Sequence, residues 1–194
     1  MSTASARPGF GTILAFSLRR NWWPAWITPW VITLVLVPAY VNGLINVPKA
    51  PGEIMAPFIL GFALLVSIYR LTQGKSAWML WYSLLLFTFL CREFHFAGTS
   101  AAVYIGALTL FWVAWYRYPV YAAYWGSRRV ITLFSTALFC YFTAVGLDSH
   151  WWKFLPGDKY HWANVEEYVE VTGHLFLLTL AFIAKPVDDY LTAS

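Results

Sequence analysis

Histidine and carboxylate side chains collect near the ends of three long apolar segments of this chain. All four histidines lie there: His95, His150, His161 and His174. Five of the nine acidic residues accompany them: Glu93, Asp148, Glu166, Glu167 and Glu170. Ionisable side chains at membrane depth are costly and are usually retained for a function. The pattern therefore predicts a functional site, although it does not specify a reaction.

The spacing of these side chains favours metal chemistry. Three short pairs each combine a carboxylate with a histidine: Glu93 with His95, Asp148 with His150, and Glu170 with His174. The members of the last pair are one helical turn apart and share a helix face. Nitrogen and oxygen ligands without a thiolate suit zinc, iron or manganese better than calcium or copper(I). We therefore predict a divalent metal cofactor, zinc or iron.

Depth in the membrane separates the candidate roles. Asp148 directly follows an apolar run, where a carboxylate must be paired, protonated or metal-bound. His174 lies well inside the last apolar segment and needs a bonding partner there. We predict that His95, Asp148 and His174 are metal ligands. Glu93 and Glu170 are the predicted catalytic residues, because a carboxylate that is not a ligand can act as general base or orient a histidine ligand.

Four nearby residues have ordinary structural explanations and are additional site candidates: His150, His161, Glu166 and Glu167. We expect His161 on an aromatic loop over residues 150–163, in the headgroup layer of the membrane. Asn164 and Glu167 have the spacing of a capping box, which predicts that the last helix begins near Asn164.

The elements that position these residues follow from composition. The 194 residues are 60% hydrophobic and 11% charged, whereas soluble domains carry about 25% charged residues. A membrane-spanning helix needs about 20 mostly apolar residues. We predict an all-α, polytopic integral membrane protein with one membrane domain over residues 1–194. Its six predicted spans are 22–46, 53–73, 77–96, 98–118, 128–149 and 164–184.

The basic residues predict the orientation of this bundle. Nine lie on one side if six helices alternate: Arg7, Arg19, Arg20, Arg70, Lys75, Arg117, Arg128, Arg129 and Lys185. Three lie on the other side: Lys49, Lys153 and Lys159. The positive-inside rule then places both termini in the cytoplasm. In a bacterial inner membrane, the histidine cluster would face the periplasm.

Other features of the sequence bear on partners. Residues 1–21 include apolar side chains at helical spacing before a basic pair, which predicts an amphipathic helix on the cytoplasmic surface. The 12 tryptophans concentrate at segment ends, as in an interfacial aromatic belt. The basic residues form no contiguous face, which argues against a nucleic-acid partner. The predicted partners are the lipid bilayer and other membrane subunits.

The same residues leave several functions open. The first is a metal-dependent enzyme, a hydrolase or an oxygenase, that acts on a lipid or other apolar substrate at the outer leaflet. The second is a non-catalytic accessory or structural subunit of a larger membrane complex, in which buried acids fix helix packing. The third is a b-haem carrier with His95 and His174 as axial ligands.

A small helical bundle with Asp and His side chains near one membrane face resembles the intramembrane zinc hydrolases of the alkaline ceramidase and adiponectin-receptor type. Those proteins also place Asp and His ligands near one membrane face of a small helical bundle. They carry a paired-histidine motif late in the chain, however, whereas His174 is the only histidine of the last predicted span here. No residue roles are transferred from them.

A reporter fused after Ser194 tests the predicted orientation. Alkaline phosphatase, which folds only in the periplasm, should be inactive at this position because the basic loops keep the C-terminus in the cytoplasm. The same enzyme inserted after Lys153, in the predicted outer loop, should be active. The opposite pair of activities would move the histidine cluster to the inner face.

Overall fold

The computed structural model describes residue 19 and residues 23–74, 76–94 and 99–184 of the chain. Within these ranges the secondary structure is helical, with no strand, which confirms the all-α class there. A short 3-10 helix, Trp23–Ile27, precedes seven α-helices. They are α1 (Thr28–Val41), α2 (Lys49–Gly74), α3 (Ala77–Glu93), α4 (Thr99–Tyr116), α5 (Tyr118–Trp125), α6 (Arg128–Asp148) and α7 (Lys159–Ile183).

Each of the six predicted apolar segments contains one long helix whose ends differ from the prediction by a few residues. Among the described residues, three helical segments are long and apolar enough to cross a membrane: Pro24–Val41, Lys49–Gly74 and Arg128–Asp148. The predicted amphipathic helix over residues 1–21 lies outside the described residues, apart from Arg19, which is helical.

Two boundaries differ from the sequence-based expectations. Helix α5 fills most of the connection between the fourth and fifth segments, and it carries Pro119 in its first turn, where proline is tolerated. Helix α7 begins five residues earlier than predicted, because the Asp158 side chain accepts a hydrogen bond from the His161 backbone N–H at 3.2 Å. The predicted capping box is therefore wrong: Asn164 lies inside α7, is buried, and donates to the Tyr40 hydroxyl at 2.8 Å.

Helix α7 is the central element of the bundle, because it packs against α6, α2 and α1. Its inward side chains, such as Val169 and Leu177, are fully buried. Aromatic rings of α3 extend the core, where Trp78 stacks on Tyr82 with ring centroids 4.9 Å apart. Helix α4 packs mainly on α3 and more lightly on α5. Phe111 of α4 also contacts Phe134 of α6, with ring centroids 6.1 Å apart.

Four helices bring polar residues to one end of the bundle. The first turn of α2, the last turns of α3 and α6, and the first half of α7 all contribute side chains to a common cavity there. Residues that are far apart in the sequence thus meet because neighbouring helices run in opposite directions.

The contact between α6 and the loop that follows it predicts a strong response to a single methyl group. Gly146 faces the indole of Trp152, and a Cβ at this position would overlap that ring. Gly146→Ala should therefore lower the free energy of unfolding by about 1–3 kcal/mol. Gly61→Ala is the matched control, because an added Cβ meets no atom within 4 Å there, and it should gain about 0.5–1 kcal/mol. Unfolding of the detergent-purified variants measures both, and equal stability would contradict the contact.

Candidate metal centre

An acidic cavity, here called the acidic basin, opens at the polar end of the bundle. It has a volume of about 490 Å³ and is lined by Lys49, Glu53, Arg92, Glu93, Asp148, Glu166, Glu167 and Glu170. Six of the nine acidic residues of the chain thus line one cavity. Against two basic residues they give a formal charge of −4, so the basin attracts cations.

The two basic residues of the basin join different helices. Lys49, at the start of α2, lies 2.9 Å from Glu53 and 3.3 Å from Glu167 of α7. Arg92, in the last turn of α3, donates hydrogen bonds to both carboxylate oxygens of Glu170, the second at 3.4 Å. These ion pairs hold α2 and α3 against α7.

Glu93, Glu170 and His174 form a compact group at the floor of the basin, called the Glu–Glu–His group below. Each residue offers one nitrogen or oxygen atom, and these atoms lie within 4.8 Å of one another. The Nε2 atom of His174 is 3.5 Å from Oε1 of Glu93. Only 5% of Glu170 and 1% of His174 is exposed. As predicted, Glu170 and His174 share one face of α7, and this group could hold a metal ion.

The orientation of the His174 ring suits metal binding. Its Nδ1 atom is 2.8 Å from the hydroxyl oxygen of Tyr141 on α6. Its Nε2 atom is buried and has no hydrogen-bond partner among the described residues. Buried polar atoms nearly always have a partner. Metal-bound histidines typically donate their second ring N–H to a neighbouring acceptor, and Tyr141 can fill that role while Nε2 faces Glu93.

The structure distributes the other predicted site residues over several places. Asp148 is the exposed last residue of α6 and lines the basin, outside the Glu–Glu–His group. Glu166 and Glu167 also line the basin. His95, predicted as a metal ligand and as a haem ligand, lies outside the described residues.

The two remaining histidines are not among the described lining residues of the basin. His150 has a left-handed backbone (φ 58°), and its Nδ1 atom is 3.0 Å from the Leu147 carbonyl oxygen. His161 lies in the first turn of α7 rather than on a loop, and its Nδ1 atom is 2.7 Å from Asp158. This hydrogen bond from His161 lowers the pKa of the exposed Asp158 carboxyl.

Two residues of the basin, Lys49 and Glu53, and the histidine partner Tyr141 were missed from the sequence. Lys49 and Glu53 begin the second span, which alternating topology places on the same side as the histidine cluster. Tyr141 lies seven residues before Asp148, so both lie on nearly the same face of α6. These signals were present, but Glu53 and Tyr141 carry no spacing that marks them as partners of a histidine. The contact between Arg92 and Glu170 joins residues 78 positions apart, and no local pattern indicates it.

The chemistry of the donors defines what the group can do. Two carboxylates and one imidazole are the ligand types of zinc and iron sites, and three protein ligands leave a position for water or substrate. Comparison with models of known protein families, with characterised proteins and with solved structures gives no match. The function is therefore argued from this geometry.

The ion pair between Arg92 and Glu170 can be measured by a double-variant cycle. Arg92→Met should lower the free energy of unfolding by about 1.5–3 kcal/mol, because a buried carboxylate loses its charged partner. Adding Glu170→Gln should recover part of that loss. Arg129→Met, at an exposed position of α6, should change stability by less than about 0.5 kcal/mol. The measurements are made in detergent with a metal chelator present, and strictly additive losses would show that the pair does not interact.

Proposed function

We propose that the chain is an integral membrane protein in which α1, α2, α3, α4, α6 and α7 cross the bilayer. Large apolar side chains on the outer face of α2 are exposed, including Phe58 at 74% and Leu65 at 66%. Leu108 of α4 is likewise 69% exposed. Contiguous apolar surface of this kind suits contact with lipid. The apolar composition of the three longest segments supports the same proposal.

The proposed location is a bacterial inner membrane, with both termini in the cytoplasm and the acidic basin at the periplasmic face. The distribution of nine basic residues against three supports this orientation. Arg128 and Arg129 begin α6 at the end of that helix away from Asp148. In the proposed orientation they lie beside the cytoplasmic headgroups.

We further propose that Glu93, Glu170 and His174 bind a divalent metal, zinc or iron. The buried Nε2 atom of His174, with no hydrogen-bond partner among the described residues, is the observation that carries this proposal. A metal ion would satisfy that atom and would also reduce the negative charge of the basin. The carboxylate of Glu170 has two oxygens, so it can keep a hydrogen bond from Arg92 while it binds a metal.

This arrangement supports a metal-dependent enzyme that acts on a lipid or other apolar substrate. A metal held here would supply Lewis-acid chemistry or activate a water molecule. In this assignment Glu93 and Glu170 are ligands, and the carboxylates of Asp148 and Glu166 in the basin are the candidates to accept a proton. A hydrolase would use about one zinc, and an oxygenase about two irons.

The accessory-subunit function has one specific observation in its favour. The contacts of Arg92 with Glu170 and of Lys49 with Glu167 tie three helices together without any metal. Ion pairs of this kind can have a purely structural role, in which they fix the packing of the helices. A protein whose basin serves this purpose would bind no metal after careful purification.

Metal analysis of purified variants tests the proposed site. The wild type should contain about one metal ion per Glu–Glu–His group, which is one per chain. His174→Gln and Glu93→Gln should reduce that content at least about tenfold while keeping membrane insertion, because amides are much poorer metal ligands. His161→Gln is the matched control and should retain metal, because His161 contacts Asp158 at the surface instead.

The remaining outcomes separate the alternatives. Asp148→Asn should retain metal, and loss of metal from it would extend the ligand set to α6. Full metal content in His174→Gln would overturn the proposed ligand set, and a metal-free wild type would favour the accessory-subunit function. A preparation with a haem absorption band would favour the b-haem carrier.

A further inference from the structure

A second cavity, here called the apolar cavity, lies beneath the acidic basin. It has a volume of about 190 Å³. Three of its lining residues, Arg92, Glu93 and Glu170, also line the basin, and His174 and Tyr141 complete this polar side. The rest of the wall is largely apolar and includes Phe89, Val103, Ala107, Phe111, Leu138 and Val145. The Glu–Glu–His group therefore stands between an acidic space and an apolar one.

The apolar cavity lies between α4 and the α6–α7 pair. Val103 and Ala107 of α4 and Leu138 and Val145 of α6 line it, and Phe111, which also lines it, contacts Phe134 of α6. In the proposed membrane orientation, the cavity lies between spanning helices and therefore at the depth of the lipid chains.

The size of the cavity limits what it can take. An apolar cavity of about 150 Å³ holds a molecule as large as benzene, so this cavity accommodates a short length of one alkyl chain. Moving a chain from hydrocarbon into an apolar cavity gains little free energy, because both surroundings are apolar. Selectivity must therefore come from the head group in the basin.

The charge of the basin identifies the head group that fits. Six acidic and two basic lining residues give a formal charge of −4, and a divalent ion in the Glu–Glu–His group would reduce it to −2. An anionic head group would meet net repulsion there, whereas a cationic one would be attracted. Asp148, the exposed last residue of α6, supplies one of these carboxylates.

From these observations we infer that the site binds a single-chain amphiphile with a positively charged amine head. The head lies in the acidic basin, the chain enters the apolar cavity from the bilayer, and the first bonds of the chain pass the Glu–Glu–His group. This inference rests on the proposed function and names its substrate class.

Photolabelling in a defined membrane tests this inference. The probe is a long-chain primary amine with a diazirine in its chain, added to the full-length protein in phosphatidylcholine nanodiscs. Two probes with the same chain but a neutral acetamide or an anionic carboxylate head serve as comparisons. Labelling of α4 and α6 by the amine should exceed labelling by either comparison at least about tenfold. Equal labelling by all three probes would overturn the amine assignment.

Two variants test separately how the protein binds the alkyl chain and the head group of the probe. Ala107→Phe fills the apolar cavity and should reduce amine labelling at least about tenfold, whereas Ala102→Phe, at an exposed position of α4, should leave it unchanged. Asp148→Asn keeps the side-chain volume and should lower the preference for amine over acetamide. Unchanged labelling in Ala107→Phe would overturn the role of the cavity, and an unchanged preference in Asp148→Asn would overturn the role of the basin.

Metal content, measured on the same nanodiscs, distinguishes this inference from the proposed function. A metal-free wild type that still prefers the amine would overturn the metal centre and support the amphiphile site. A metal-loaded wild type without that preference would overturn the amphiphile site and support the metal centre.

Discussion

The burial of Glu170 and His174 on the central helix is the constraint on which the rest of this structure depends. A carboxylate and an imidazole removed from water need bonding partners, and each partner here comes from a different helix. Arg92 of α3 donates hydrogen bonds to Glu170, and the Tyr141 hydroxyl of α6 is hydrogen-bonded to His174. Close approach of α6 and α7 is possible because Gly173 lies beside Cys140 and Ala137, where an added Cβ would stand only 3.1 Å from the Cys140 side chain. The position of three helices thus follows from two polar side chains.

The same constraint explains why two unlike spaces meet at one point. On one side of Glu170 lies the acidic basin, which is lined by charged side chains. Below His174, the lining changes to aromatic and aliphatic side chains of α4 and α6. A molecule that satisfies both spaces must itself have a polar end and an apolar end. Chemistry at their junction would act on the bonds next to the head group.

Periodicity and composition predicted much of the fold and part of the site. The apolar segments marked the long helices because their length and hydropathy are local properties. The shared face of Glu170 and His174 followed from four-residue spacing on one helix. The predicted start of α7 was wrong because Asn164 and Glu167 have the spacing of a capping box, whereas the N-cap residue in the structure is Asp158. Local spacing cannot tell which of two plausible caps the chain uses.

The sequence could not predict which acidic residues join the Glu–Glu–His group. Asp148 and Glu93 both end apolar helices, yet only Glu93 joins the Glu–Glu–His group, because the rotation of each helix decides which carboxylate points inward. Helix rotation is set by packing between residues far apart in the chain. The contact between Arg92 and Glu170 arises in the same way, since it depends on how the end of α3 meets the middle of α7.

The guanidinium of Arg92 has a consequence for the order of events in biogenesis. Small zinc domains often remain unfolded until the ion arrives, because nothing else neutralises their ligands. Here Glu170 already has a resident counter-ion from the protein itself. Assembly of α3 against α7 can therefore finish before an ion occupies the proposed metal site. Such a protein would be folded without the ion, and loading would change its chemistry rather than its fold.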